Sequence, residues 1–247
     1  MNLSIITTCK GRLHHLKQTL PLMVDQQSTD RDNMEVIVVD YGDPDKCSEV
    51  LQEAFPQVTF VRVLDGTDTF SPSRARNIGG RIATGRYLGF VDGDVKLNTY
   101  WSTSCMRKQH VGIGSEAIGP LLAIPDSKDK EITGTCMIDA ELYRTIRGYG
   151  EDLTDWGYQD HDLYNRAMLA GAFKCAYPAQ FVEAIPNTDE ERFGFYADRR
   201  KMYTGNRNKK ISKRRINANP DGYGIAKVEI LRYGQPPKKL DLKPQTS

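Results

Sequence analysis

No apolar run in the sequence approaches the roughly 18 residues that a membrane-crossing helix requires, and no charged, apolar and small-residue order marks a signal peptide. The opening apolar stretch, Leu3 to Thr8, leads straight into Cys9, Lys10, Gly11 and Arg12, so it reads as a buried first strand. Five cysteines (Cys9, Cys47, Cys105, Cys136, Cys175) are too few, too scattered and odd in number for a disulfide framework, and no C-x-x-C pair suggests zinc. A reducing, cytoplasmic setting is the expectation. The four histidines, His14, His15, His110 and His161, include no H-x-x-x-H pair, which argues against a histidine-rich metal site. Internal repeats and low-complexity tracts are absent as well.

Charge is present in both signs but unevenly distributed. Residues 199–215 hold nine of the 34 Lys and Arg and no acid, leaving 25 basic against 32 acidic residues elsewhere. A run of this kind permits an anionic-polymer or nucleic-acid binding module. Tyr203 is its only aromatic, which gives little support for stacking on bases.

The first half alternates short apolar runs with helix-period segments, the pattern of an α/β sheet with helices on its faces. Strands are expected at 3–8, 36–39, 58–63 and 87–91. A helix follows Gly11, with Pro21 expected to kink or shorten it. A second helix opens with Ser71 as N-cap and Pro72 at its first position, and Gly85 is expected to stop it. Beyond residue 95, helices are expected near 98–110, 140–147 and 159–170, and strands near 119–124, 132–138 and 173–177. Residues 216–247, with Asn219-Pro220-Asp221-Gly222 and Pro236-Pro237, read as a C-terminal tail or flap on a single domain covering 1–215.

Several residues stand where chemistry is possible. Asp92-Gly93-Asp94 follows the apolar strand Tyr87-Leu88-Gly89-Phe90-Val91, at the strand end where open α/β sheets bind ligands. Two carboxylates so placed suit Mn²⁺ or Mg²⁺ together with substrate phosphate. Asp40 ends the second strand, a position suited to a ribose or base, or alternatively to capping a helix before Asp45. Arg74, Arg76 and Asn77 lie on the helix preceding the D-x-D strand, and an arginine fork matches diphosphate oxygens. At least one of these arginines is expected on a solvated face. The segment Asp155-Trp156-Gly157-Tyr158-Gln159-Asp160-His161-Asp162 gathers aromatics and acids at a helix start, where the dipole favours an ionised carboxylate. Trp156 offers a face for a sugar ring and Gly157 permits close approach, although Trp156 also suits a core anchor.

These stretches together resemble the inverting, nucleotide-sugar-dependent glycosyltransferases of the A-type fold, family two and its galactosyltransferase relatives. The resemblance runs over about residues 3 to 200. Ser4 to Arg12 with Val36 to Gly42 looks like the nucleotide-binding half, about 1–95, and implies that Thr8 and Asp40 contact the nucleoside. Ala75-Arg76-Asn77-Ile78-Gly79 with Phe90 to Asp94 resembles the family's helix and D-x-D pair, which implies Arg74, Arg76, Asn77 and Asp92 on the donor and Asp92 and Asp94 on the metal. Trp156 to Arg166 resembles the W-G-G-E-D-D-D-I-F-N-R motif of β-1,4-galactosyltransferases, in the acceptor half, about 96–215. That register makes Asp160 the catalytic base, and Trp156, Gly157, Tyr158 and Asp162 acceptor-binding residues.

The sequence departs from that pattern in three places. Gln159 replaces an acid, Tyr158 replaces a glycine, and the downstream metal-binding histidine has no counterpart, with Asn187 in its place. The implied fold is a Rossmann-like GT-A fold: α/β, with a mixed, mostly parallel central sheet. The implied reaction moves a sugar from a nucleoside diphosphate, UDP favoured, to a hydroxyl of a glycan, glycolipid or other acceptor, possibly anionic. A non-catalytic sugar-nucleotide binder is the alternative raised by Gln159 and the missing histidine. A nucleotidyltransferase would call for a glycine-rich loop where this chain has Cys9-Lys10-Gly11-Arg12.

Overall fold

The computed structural model describes residues 2–26, 33–107, 119–215 and 218–244. Four parallel strands form the centre of the sheet: β1 (Leu3–Cys9), β2 (Met34–Asp40), β3 (Val58–Val63) and β4 (Tyr87–Phe90). Their near-continuous apolar sequences follow from burial on both faces. Along β2, Val36 and Val38 enter one core layer while Ile37 and Val39 enter the other.

Helices cover both faces. One layer takes α1 (Leu13–Val24), α2 (Cys47–Leu51) and α4 (Trp101–Arg107) through Leu16, Leu20, Leu51 and Trp101. The other takes α3 (Pro72–Ile82), α5 (Ala140–Thr145) and α6 (Gln159–Leu169) through Ile78, Tyr143 and Leu163. Ser71 caps α3 by accepting from the Arg74 amide, with Pro72 next to it, as the sequence pattern predicts. The helix ends at the Ala83 cap, two residues before Gly85. Pro21 lies inside α1 without ending it. The last three residues of the helix expected at 98–110 lie outside the described residues, and so does His110.

Among the described residues the sheet has nine strands, in the order β11-β10-β3-β2-β1-β4-β7-β6-β8. Beside β4 come β7 (Cys136–Asp139), antiparallel to it, then β6 (Leu121–Asp126) and β8 (Phe173–Pro178). At the opposite edge, β10 (Ala226–Leu231) pairs antiparallel with β3, and β11 (Lys238–Leu242) pairs with β10. The segment expected to be a tail or flap therefore extends the central sheet. Its Tyr223, Val228 and Leu242 are buried in the core.

A second, two-stranded sheet joins β5 (Val95–Leu97) to β9 (Val182–Ala184). It is short, yet it carries residue 187 back to the end of β4.

Candidate active site

A cleft opens across the carboxyl ends of β1 and β4. It is lined by Thr8 near the end of β1, by Lys10 and Arg12 after it, by Arg76 from α3, by Asp92 to Asp94, by Trp156 to His161 at the start of α6, and by Glu191, Arg192, Phe195 and Tyr196. The last group includes part of α7 (Asp189–Phe193). Thr8, Arg76, Asp92, Asp94, Trp156, Gly157, Tyr158 and Asp160 thus converge on one cavity from segments far apart in sequence.

The D-x-D turn is fixed at the sheet. Val91 donates its amide to the Ile6 carbonyl, and the Asp92 carbonyl accepts from Val95, each at 3.0 Å. The two carboxylates then take different partners. Asp92 is paired with Arg76, which also reaches the Asp160 carboxylate at 3.1 Å. Asp94 is paired with Arg12 and accepts from the Asn187 side-chain amide at 2.5 Å. Asn187 arrives there because β9 pairs with β5 and the Ile185 amide donates to the Asp94 carbonyl at 2.7 Å.

Arg76 holds the two acids together. Its side chain is 10% exposed, with the guanidinium 5.0 Å from the centre of the Tyr149 ring. Burial opposes its charge, but Asp92 and Asp160 overcome that opposition and raise its pKa well above the usual arginine value. Burial also pushes the Asp160 carboxyl above the ordinary aspartate range, against the pull of Arg76. A carboxylate shifted in this direction is a stronger proton acceptor once ionised.

The start of α6 is an unusual turn. Asp155, Gly157 and Tyr158 all have positive φ, at 60°, 103° and 73°. A side chain at 157 would be strained and would press on the Gly205 Cα, 3.0 Å from the position of a Cβ. Tyr158 tolerates its left-handed backbone with its ring stacked on His161, the centroids 5.3 Å apart. Glycine suits that φ better, which accounts for the residue the galactosyltransferase pattern has there. Gln159, where that pattern has an acid, turns inward and donates to the carbonyls of Leu153 and Asp155.

Four residues expected to bind donor or acceptor have their side chains committed elsewhere. Asp40 is 3% exposed and accepts from the Asp43 amide and the Ser48 hydroxyl, a local cap after β2. Arg74 turns away from the cleft to Asp65, the Tyr41 hydroxyl and the Ile225 carbonyl. Asn77 is fully buried and ties α3 to Tyr143, Tyr149 and Glu151. Asp162, 1% exposed, is paired with Arg166 and Arg215. None of the four lines the cleft.

The cleft also contains residues that the sequence reading passed over. Lys10 donates to the carbonyls of Tyr41, Gly42 and Thr67 and lies over the Phe195 ring. That ring rests on Gly11, where any side chain would collide with it. Arg12 pairs with Asp94, a role that its position in the Lys10-Gly11-Arg12 turn directly after β1 could have signalled. His15, expected on the surface, is 4% exposed beside Glu191, while His14 is half-exposed and bonded to that residue at 3.2 Å. Glu191 is committed to the Thr188 cap and Arg12 reaches its carbonyl, while among the described residues the buried His15 Nδ1 has no hydrogen-bond partner.

The donor set beside the D-x-D turn fits a hard divalent cation. The Asn187 side-chain oxygen is buried and has no hydrogen-bond partner, although its amide nitrogen donates to Asp94. An amide oxygen and two carboxylates are the ligand types that Mn²⁺ and Mg²⁺ accept.

With this geometry in place, comparison supplies the class. Residues 4–173 match the family model described as "Glycosyl transferase family 2". The chain belongs to that family of glycosyltransferases, and its fold is the GT-A Rossmann-like α/β fold. It is similar to the hyaluronan synthase of Pasteurella multocida, 32% identical over 120 residues, which are 49% of this chain and 12% of that protein. It is also similar to the uncharacterized glycosyltransferase EpsJ of Bacillus subtilis (strain 168), 37% identical over 62 residues, or 25% of this chain and 18% of that one. The chain therefore matches only a small part of the length of either relative.

Among solved structures, S. aureus TarS 1–349 in complex with UDP-GlcNAc superposes with a TM-score of 0.59 at 16% identity, over 76% of this chain and 59% of that one. The mannosyltransferase PcManGT of Pyrobaculum calidifontis, in complex with GDP-Man and Mn²⁺, gives 0.61 at 16% identity, over 75% and 57%. At these identities the two structures speak for the fold.

Proposed function

We propose that the chain is a metal-dependent, inverting glycosyltransferase, moving a sugar from a nucleoside diphosphate, UDP favoured, onto an acceptor hydroxyl. The observation that carries this reading is the meeting of Asp160 with the D-x-D turn through Arg76 in one cleft. The sugar-nucleotide complexes of TarS and PcManGT support the donor class, and the Mn²⁺ of the latter supports the metal.

Asp92, Asp94 and the Asn187 side-chain oxygen would hold the ion. Bound there, Mn²⁺ or Mg²⁺ would neutralise charge on the departing nucleoside diphosphate. Thr8, Lys10 and Arg12 line the β1 side of the cleft, where the nucleoside would lie. Asp160 takes the proton of the acceptor hydroxyl as that oxygen bonds to the anomeric carbon and the sugar–phosphate bond breaks, so one displacement inverts the anomer. Trp156, Gly157 and Tyr158 frame the acceptor. Residues 188–196 roof the donor side and exclude the water that would otherwise hydrolyse the donor.

The test is donor turnover across a panel of nucleotide sugars with Mn²⁺, Mg²⁺ or EDTA. One donor should release nucleoside diphosphate slowly without acceptor, and only with metal. Asp160→Asn should bind that donor normally and lose about 10²- to 10⁴-fold in transfer. Transfer by Asp160→Asn within about threefold of the parent would remove Asp160 from the role of base.

A further inference from the structure

The basic run forms α8 (Lys201–Arg214) and the residues beside it, and its Arg200, Arg207 and Arg215 are spent on Asp198, Asp155, Asp152 and Asp162 of the same chain. A smaller cluster beside the cleft is not accounted for in that way. His14 and His15, in the first turn of α1, meet Glu191 from the first turn of α7, which lies 177 residues beyond His14. One nitrogen of each ring and one Glu191 oxygen all lie within 4.8 Å of one another. The two rings lie with their centroids 4.0 Å apart, tilted by 45°.

A surface ion pair would account for His14 and Glu191, and it leaves His15 unexplained. That residue is 4% exposed, and among the described residues its buried Nδ1 has no hydrogen-bond partner. A buried polar atom left unpaired costs stability, so such atoms are nearly always satisfied by protein, water or an ion. Burial above all, with the charges of His14 and Arg12, holds the His15 pKa below the ordinary histidine value, and a neutral imidazole keeps a lone pair for a metal.

The three groups have the spacing of a partial coordination shell. Ligands about 2.0–2.2 Å from a tetrahedral Zn²⁺ stand roughly 3.3–3.5 Å apart. His14 Nε2 and Glu191 Oε1 are 3.2 Å apart. The other Glu191 oxygen accepts from the Thr188 amide and hydroxyl, each at 2.9 Å, which fixes the carboxylate with Oε1 toward His14. His14 is half-exposed, so an ion can enter and water can complete its shell. Both helices bring their positive ends to the cluster, and Arg12 is close by. Three acids in the first turn of α7, Asp189, Glu190 and Glu191, offset the helix ends, and Asp94 neutralises Arg12. Two imidazoles and a carboxylate suit Zn²⁺ and its neighbours, whereas the oxygen ligands at the D-x-D turn suit Mn²⁺ and Mg²⁺.

We propose that His14, His15 and Glu191 form a second metal site, separate from the D-x-D turn, that takes Zn²⁺ or an ion of its class and clasps α7 to α1. Glu191 and Arg192 of α7 line the cleft, and so do Phe195 and Tyr196 just after it, so an ion held here would fix that wall. The adjacent histidines show no H-x-x-x-H spacing because their third partner comes from far along the chain. The site needs no sugar nucleotide, so it stands or falls apart from the transferase reading.

The probes are Zn²⁺ and Co²⁺ alone, titrated without nucleotide into the full chain, Asp92→Ala and His14→Gln. Asp92→Ala breaks the D-x-D pair and leaves Asp94 to hold Arg12, and it should still bind one Zn²⁺. Bound Co²⁺ should show the visible absorption of a tetrahedral site with nitrogen and oxygen ligands. His14→Gln alters a half-exposed side chain, its melting without metal is the folding control, and it should weaken Zn²⁺ at least about tenfold. Zn²⁺ should also slow amide exchange across α7 in the full chain and in Asp92→Ala, and not in His14→Gln.

Equal Zn²⁺ affinity in His14→Gln, or loss of binding in Asp92→Ala, overturns the site. A sulfur-to-cobalt charge-transfer band would put the ion at Cys9 and Cys47, whose sulfurs lie within 4.8 Å of each other, and overturns it as well. Zn²⁺ bound without slower exchange in α7 overturns the clasp. Failure of every sugar nucleotide to turn over strikes the transferase reading and leaves these outcomes as they are.

Discussion

Arg76 is the residue on which the candidate site turns. It separates two acids that would otherwise face each other across the cleft, and it does so from a helix position that the sequence pattern assigns to the donor diphosphate. Replacing it by methionine leaves Asp92 and Asp160 without their shared counterion. A broken buried pair typically costs about 3–5 kcal/mol, so the melting midpoint of Arg76→Met should fall clearly. The pH profile should move too. With Asp160 as the proposed base, transfer should rise with pH as it ionises, and burial should set that limb above the ordinary aspartate value of about 3.9. Arg76 pulls the limb down, so Arg76→Met should shift it to higher pH, and an unmoved limb would separate Arg76 from Asp160. At this scale, Asp92, Asp94, Asp160 and Trp156 were legible because strand-end and helix-start signals are local. Asp40, Arg74, Asn77 and Asp162 were not, since the partners that hold most of them inside, such as Ile225, Tyr149 and Arg215, lie far along the chain.

At the level of elements, the turn before α6 and the short helix α7 shape the two walls of the cleft. Gly157 sits at φ 103° against Gly205, so Gly157→Ala should cost about 1–3 kcal/mol and loosen α8 from α6, a change measurable by melting and by protease sensitivity. Unchanged stability would mean that α8 moves away without cost. α7 begins in a capping box, where Thr188 accepts from the Glu191 amide and Glu191 accepts in return. The Thr188 amide and hydroxyl hold the Glu191 carboxyl down at about 2. A depressed folded value contributes stability above the unfolded value of about 4.3 and loses it as pH falls toward about 2. Glu191→Gln should therefore flatten the melting curve's pH dependence in that window. Helix α3 was readable to its cap, whereas β5 and β9, of three residues each, are too short to show a period. The alternation Ala226-Lys227-Val228-Glu229-Ile230 is a period-two signal, and it would have identified β10.

For the molecule as a whole, the sheet joins the two ends of the described chain. β10 lies beside β3, Arg74 and Arg81 bond the carbonyls of Ile225 and Tyr223, and Asn219 bonds those of Arg147 and Tyr149. A chain ended at Arg215 should lose cooperative melting, and a midpoint within about 2 °C of the full chain would show the last strands dispensable. The parallel centre was legible because its strands are buried on both faces. The closure was not, because the alternation in β10 signals a strand but not its partner β3, about 170 residues earlier, and Pro236-Pro237 hides β11. The central claim is that this cleft binds a nucleotide sugar through metal at Asp94. Its most direct test is calorimetric titration of UDP-sugars and GDP-sugars with Mn²⁺ or EDTA, on the unaltered chain and on Asp94→Ala. The account predicts binding of one donor that requires the metal and vanishes in Asp94→Ala. Binding that persists in EDTA and in the variant, or no binding of any donor, would contradict it.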